Sequence, residues 1–361
     1  MRSKHNQRNH QFDLLRILFA TLVLLAHAPE LTDGNRSREL LTRLTHSSVS
    51  FGSAGVDGFF LLSGFLIVKS WHGNPDLLDF MSKRFLRIAP GYAAATVLTT
   101  IAAGILAPGV SNFFRHIDIN SVKSIFFIFR PKSPPVFAGN PHPELNGALW
   151  TILYEFRCYV FVAVFGICGF FRRPLLWLAV TLPLMVFLAI PTLADHLPWP
   201  GIVYSVLGDP VKIFRLTAVF FVGGCFFLFR QRIQFLPMLA LCAAAIIVLV
   251  RFIHPAFMET ALVIFGGYLI FYFTSLPIKA FGDTYKLPDI SYGVYLYGWP
   301  VESLLIWYYH SSPWVTFVAA TVICFGLGWA SWHLVEKPML ALKRKRSSLP
   351  SLTQIEEPVP S

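Results

Sequence analysis

The sequence predicts an all-α fold, a polytopic membrane helical bundle of about ten transmembrane helices with no separate soluble domain. Three observations predict it. Hydrophobic residues make up 55% of the 361 positions and charged residues only 14%, whereas an ordinary soluble domain carries roughly 25% charged residues. About ten apolar stretches are long enough to cross the hydrocarbon core, which takes about 20 residues of helix. Lysine and arginine gather in alternate connections between those stretches, the pattern that orients membrane helices. A chain this apolar has too little polar side chain to wet a globular surface. This excludes a disordered chain, a collagen, a nucleic-acid-binding tail protein and a secreted disulfide scaffold. The net charge of +11 fits inner membrane loops and gives no reason to expect nucleic acid.

The stretches are 12–30, 53–71, 89–108, 147–169, 174–193, 211–229, 235–252, 256–276, 290–310 and 314–335. The first holds Arg16 and lacks a small-residue cleavage site, so it reads as a retained helix rather than a signal peptide. An even count puts both termini on one side. Arg2, Lys4 and Arg8 at one end, and Lys343, Arg344, Lys345 and Arg346 at the other, place that side in the cytoplasm. Inner loops then hold Lys83, Arg84 and Arg87; Arg172 and Arg173; Arg230 and Arg232; and Lys279 and Lys286. The long outer loop, 109–146, departs from the rule with Arg115, Lys123, Arg130 and Lys132, but long loops constrain orientation less. Its proline-rich half, Pro131 to Pro143, suits a lid or binding loop. Residues 1–338 form the transmembrane domain, and 339–361 a polar cytoplasmic tail expected to be disordered. Cys158, Cys168, Cys225, Cys242 and Cys324 lie in apolar stretches without metal-ligand spacing, and read as small buried hydrophobes.

Ionisable residues within membrane spans are costly, so each is a functional candidate. Arg16 and His27 stand 11 residues apart on the first helix. At 100° per residue they share one face, about 16 Å apart along the axis. A snorkelling arginine and a hydrogen-bonded interior histidine fit the same spacing. Asp57, at the outer end of the second helix, could approach the depth of His27, or sit in water at the interface. Gly58 and Gly64 permit close helix contact and Ser63 can bond across an interface. Arg84 and Arg87 are three apart in the second inner loop and would share a face if that loop were helical. Paired guanidinium forks suit phosphate oxygens, though ordinary inner-loop charge accounts for them too. On the fourth helix Glu155 and Tyr159 meet at i,i+4, with Thr151 one turn earlier. Glu155 could partner His27, or bond only to Arg157 or Tyr159; Arg157 reads as a charge partner. The ninth helix carries an aromatic stripe from Tyr292 to Trp299, with Glu302 beyond. His333 and Glu336 at the end of the tenth read as a solvated helix end.

Taken in order, these segments resemble acyltransferase family 3, a family of integral membrane acyltransferases. The resemblance rests on Phe12-Asp13-Leu14-Leu15-Arg16 with His27; Phe59 to Phe65; Arg84-Phe85-Leu86-Arg87-Ile88-Ala89-Pro90; Leu149-Trp150-Thr151 with Glu155 and Tyr159; Ser291-Tyr292 through Pro300; and Val335-Glu336-Lys337-Pro338. It implies a ten-helix bacterial inner-membrane enzyme that moves an acyl group, usually acetyl, from cytoplasmic acyl-CoA to a hydroxyl of a cell-envelope or exported carbohydrate or glycolipid. By this resemblance His27 is the catalytic residue, and Arg16, Arg84 and Arg87 serve acyl-CoA, a co-substrate rather than a resident cofactor. Many members carry a histidine where this chain has Gly298, so no role for that histidine transfers. Some carry a fused extracytoplasmic esterase-like domain; none is expected in this chain.

The chemistry expected is that of a general base. His27 would deprotonate the sugar hydroxyl, with Glu155 or Asp57 orienting the imidazole. An acyl-histidine intermediate is an open alternative. Two other classes fit less well. A proton-coupled transporter could relay protons through His27, Glu155 and Asp57, but the sequence shows neither inverted repeats nor paired interrupted helices. A polyprenyl-linked glycosyltransferase would call on Glu30, Asp33 and Glu39 in the first outer loop, where no metal motif is evident.

Overall fold

Glycines set one very close helix crossing in the bundle. A Cβ on Gly64 would stand 1.9 Å from the Phe220 carbonyl oxygen, and one on Gly223 2.1 Å from that of Leu61. No side chain fits at either place, so α2 (Phe51–Gly73) and α6 (Pro210–Leu228) pack backbone against backbone. The computed structural model describes residues 10–106, 136–137, 139–276 and 288–347. Among them every regular element is helical.

Each of the ten predicted stretches coincides with a helix. Besides α2 and α6 these are α1 (His10–Asp33), α3 (Leu77–Leu106), α4 (Trp150–Ile167), α5 (Pro174–Ala189), α7 (Pro237–Ile253), α8 (Pro255–Ser275), α9 (Ser291–Tyr309) and α10 (Pro313–Ser331). Seven of the ten are long and apolar enough to cross a membrane by length and composition. α5 and α7 are shorter apolar helices. α9 has 19 residues and is buried along most of its length, including Ser291, Glu302 and Ser303, whose polarity lowers its hydropathy.

α2 and α9 lie at the centre. α2 packs on α1 and α6, and α9 on α1 and α10. Trp177 of α5 anchors the α5–α6 side, stacking on Phe221 at 4.0 Å and donating its indole N–H to the Phe221 carbonyl at 3.0 Å. Pro300 inside α9 cannot donate to the carbonyl of Leu296, four residues back. Asn146 fills that gap, its side-chain amide donating to Leu296 O at 2.9 Å while its carbonyl oxygen accepts from the Ala148 N–H at 3.1 Å. One side chain thus fixes the start of α4 against the middle of α9.

Three expectations need correction. The basic segment Lys83 to Pro90 is not a loop; it lies in the first half of α3, which starts at Leu77, where the Asp79 N–H donates to the Asp76 carboxylate. The segment folds as helix because its charges find partners there: Lys83 pairs with Asp79 one turn earlier, and Arg87 with Asp289 and Glu336. α10 does not end in solvent: its chain passes through a wide turn, Trp332–Glu336, into a further helix to Ser347, and Glu336 is buried. Of the cysteines, Cys168 and Cys242 are exposed on the outer surface of the bundle. The expectations for Arg2, Lys4, Arg8, Arg115, Lys123, Arg130, Lys132, Lys279, Lys286 and residues 348–361 lie outside the described residues.

Candidate active site

Two cavities lie between α1, α2, α4 and α9. The first, about 500 Å³, is lined by Arg16, Arg84, Arg87, Ser63, Glu155 and Tyr159 among others. Because α3 is helical here, Arg84 and Arg87 project from one face. Their surroundings differ. Arg87 donates to Asp289 at 2.6 Å and to Glu336 at 3.4 Å, and Arg16 donates to the same Asp289 oxygen at 3.2 Å. Ser291 donates to the other Asp289 oxygen at 2.9 Å. Two carboxylates therefore balance two guanidiniums. Among the described residues Arg84 has no carboxylate within ion-pairing distance and its buried Nε has no hydrogen-bond partner; it donates to the Ser70 hydroxyl at 3.3 Å and lies 5.8 Å from the Phe80 ring centroid. Arg84 is thus the cavity guanidinium without an ion pair among the described residues, free to donate charge-assisted hydrogen bonds to an anion, with the Glu155 carboxylate lining the same cavity. Opposite, Glu155 accepts from Ser63 at 3.0 Å and from the Tyr159 hydroxyl.

The second cavity, about 820 Å³, is lined by His27, Glu30, Arg36, Trp150, Lys212 and Arg215 among others. Arg36 holds Glu30 at 2.8 Å. Arg215 bridges Asp57, at 2.7 Å, and Glu259. Lys212 lies over the Trp150 ring, 5.2 Å from its centroid. His27 packs edge-on against Trp299 at 4.9 Å, with its Nδ1 3.8 Å from Glu302 Oε2.

Val56, Thr151 and Tyr295 line both cavities. They form the partition between an arginine-lined chamber and a histidine-lined one. Tyr295 donates to the Ala148 carbonyl at 2.7 Å, which leaves its oxygen to accept from the Thr151 hydroxyl. The partition is thus a valine side chain and one hydroxyl pair.

The six residues singled out in the sequence fall into two groups. Arg16, Arg84, Arg87 and Glu155 line the first cavity; His27 lines the second. Asp57 stands behind Arg215. Neither Glu155 nor Asp57 reaches the imidazole, because each is committed to other partners; the carboxylate nearest His27 is Glu302. Arg157 is no charge partner either, since it donates to the Leu207 carbonyl at 2.6 Å and lies over Tyr154 at 5.0 Å. Glu30 and Asp33 are paired with Arg36 and Arg38, and Glu39 is bound to Thr42 and the Phe51 N–H. Sequence reasoning did not foresee Asp289, Glu302 and the Arg215–Glu259 pair. Glu302 did carry a signal: it is a carboxylate inside a predicted span, the same criterion that picked out His27.

The comparisons agree in direction. A family model described as an acyltransferase domain matches residues 9–333. The chain is 25% identical over 346 residues to an O-acetyl transferase of Shigella phage Sf6, covering 95% of this chain and 99% of that protein. It is 23% identical over 362 residues to nodulation protein 10 of Rhizobium leguminosarum bv. viciae, covering 92% and 94%. It is 29% identical over 198 residues to the peptidoglycan O-acetyltransferase OatA of Listeria monocytogenes, covering 50% of this chain and 30% of that protein. No solved structure matches.

Proposed function

Because this chain belongs to acyltransferase family 3 and is a multi-pass membrane O-acyltransferase, we propose that it carries an acetyl group across its bundle, from acyl-CoA at the arginine-lined cavity to a carbohydrate hydroxyl at the cavity of His27. The observation that carries this reading is the pair of cavities meeting at Val56, Thr151 and Tyr295. Arg84 takes a CoA phosphate, while Arg16 and Arg87, balanced by Asp289 and Glu336, shape the mouth. Arg16 and His27 are separated by about 16 Å of helix, a length the extended arm of CoA can cover. Glu155, Ser63 and Tyr159 line the path of that arm. The arginine side faces the cytoplasm, both termini lie there, and the membrane is the inner membrane. A carbohydrate acceptor is supported by the names of the O-acetyltransferase relatives, one of which acts on peptidoglycan.

The chemistry follows from the groups present. His27 accepts the proton of the acceptor hydroxyl as its oxygen attacks the thioester carbonyl carbon. The tetrahedral intermediate collapses with cleavage of the C–S bond, and the departing thiolate takes the proton from the imidazolium. Asp57 holds Arg215 at the wall of the acceptor cavity rather than touching the base.

Mass spectrometry of envelope glycans tests the proposal, comparing cells with the protein, cells without it and cells carrying His27→Ala. O-acetyl groups should be present only in the first. Equal acetylation in all three would refute it.

A further inference from the structure

Glu302 has no exposure to solvent, and among the described residues neither of its carboxylate oxygens has a hydrogen-bond partner. A buried carboxylate left unbonded is costly, more so than a buried neutral group. Among the described residues, the one basic side chain within ion-pairing distance is that of His27, whose Nδ1, itself buried and without a hydrogen-bond partner, lies 3.8 Å away. Helix packing explains the meeting. Leu24 and His27 are three apart on α1, and Gly298 and Glu302 four apart on α9, so each pair shares a helix face. A Cβ on Gly298 would stand 2.7 Å from Leu24 Cδ1. The missing side chain lets α9 close on α1 at that point, and one turn further on the same approach brings the carboxylate to the imidazole. The ring edge carrying Nδ1 is turned to Glu302, so Nε2 is the nitrogen left to the acceptor cavity, where His27 keeps its 12% exposure.

We propose that Glu302 is the positioning residue of His27, holding the Nδ1–H tautomer so that Nε2 is the proton acceptor, and balancing the imidazolium between attack and departure of the thiolate. This rests on His27 being the base. A small side-chain rotation closes 3.8 Å to hydrogen-bond length once the imidazole is charged. Neither Glu155 nor Asp57 can substitute, since both are bound elsewhere.

The test uses the full-length protein in membrane vesicles with radiolabelled acetyl-CoA, reading label in the envelope glycan fraction. Glu302→Gln keeps the shape and removes the charge. It should lower kcat by about 10²- to 10⁴-fold, the range spanned by loss of a general base and loss of its orienting carboxylate. The KM for acetyl-CoA should stay at the parent value, and Glu302→Asp should recover part of kcat. Parent-like kcat in Glu302→Gln would overturn the proposal. So would loss of acetyl-CoA binding in both variants, which would assign Glu302 to folding. His27→Ala separates the two ideas: if it is inactive while Glu302→Gln is not, only this inference fails; if it is active, the reading of the site fails as well.

Discussion

Arg84 and Arg87 look equivalent in the sequence and are not equivalent in the structure, which makes their alanine variants diagnostic. Arg84 has a hydroxyl partner at 3.3 Å and an unpartnered Nε. Removing it leaves no buried acid behind. Its loss should therefore appear in donor binding: a charge-assisted hydrogen bond of about 1.5–3 kcal/mol corresponds to a rise in the acetyl-CoA KM of about 10- to 150-fold. Arg87 instead neutralises Asp289 and Glu336, which are 4% and 1% exposed. Stripping the partner from a buried acid costs about 3–5 kcal/mol. The lower end applies here, because Arg87 is itself 22% exposed and Arg16 still serves Asp289. Arg87→Ala should thus lower the melting temperature of the detergent-solubilised protein, while Arg84→Ala leaves it unchanged. KM by initial rates and thermal unfolding by tryptophan fluorescence measure the two effects. A parent-like KM in Arg84→Ala, together with a parent-like melting temperature in Arg87→Ala, would refute this division of labour.

Other variants probe the partition and the packing. Thr151→Leu should fill the boundary between the cavities and lower kcat, with acetyl-CoA binding preserved when measured by equilibrium dialysis. Gly64→Ala forces a methyl group towards Phe220 O and should destabilise the bundle by about 1–3 kcal/mol, as overpacking does, whereas Gly326→Ala, with nothing within 4 Å of its added Cβ, should be neutral or slightly stabilising; thermal unfolding compares them. Trp177→Ala removes the stack on Phe221 and should cost about 3–5 kcal/mol, again read by unfolding.

The features readable from sequence were those set within one helix. The 3.6-residue period placed Arg16 and His27 on one face of α1, and the structure has both lining cavities. The same period joined Glu155 to Tyr159, which are bonded. Small residues at Gly64 and Ser63 signalled close contact, and both make it. What escaped depends on contacts between distant segments. Asp289 is an ordinary loop acid until α3 brings Arg87 to it. Glu302 stands out as a carboxylate inside a span, but its meeting with His27 depends on α9 closing on α1. Asp57 offers no local partner in the sequence, because Arg215 is 158 residues away. The start of α3 was missed because a charged, amphipathic first half lacks the apolar run by which spans are recognised.

The central claim is that donor and acceptor meet from opposite faces at His27. Inverted inner-membrane vesicles test it most directly, with radiolabelled acetyl-CoA outside and the envelope glycan fraction trapped in the lumen. Label on the luminal glycan with the parent protein, and none with His27→Ala, is the expected result. Transfer that occurs only when acetyl-CoA and glycan share one side, or that persists without His27, would contradict it.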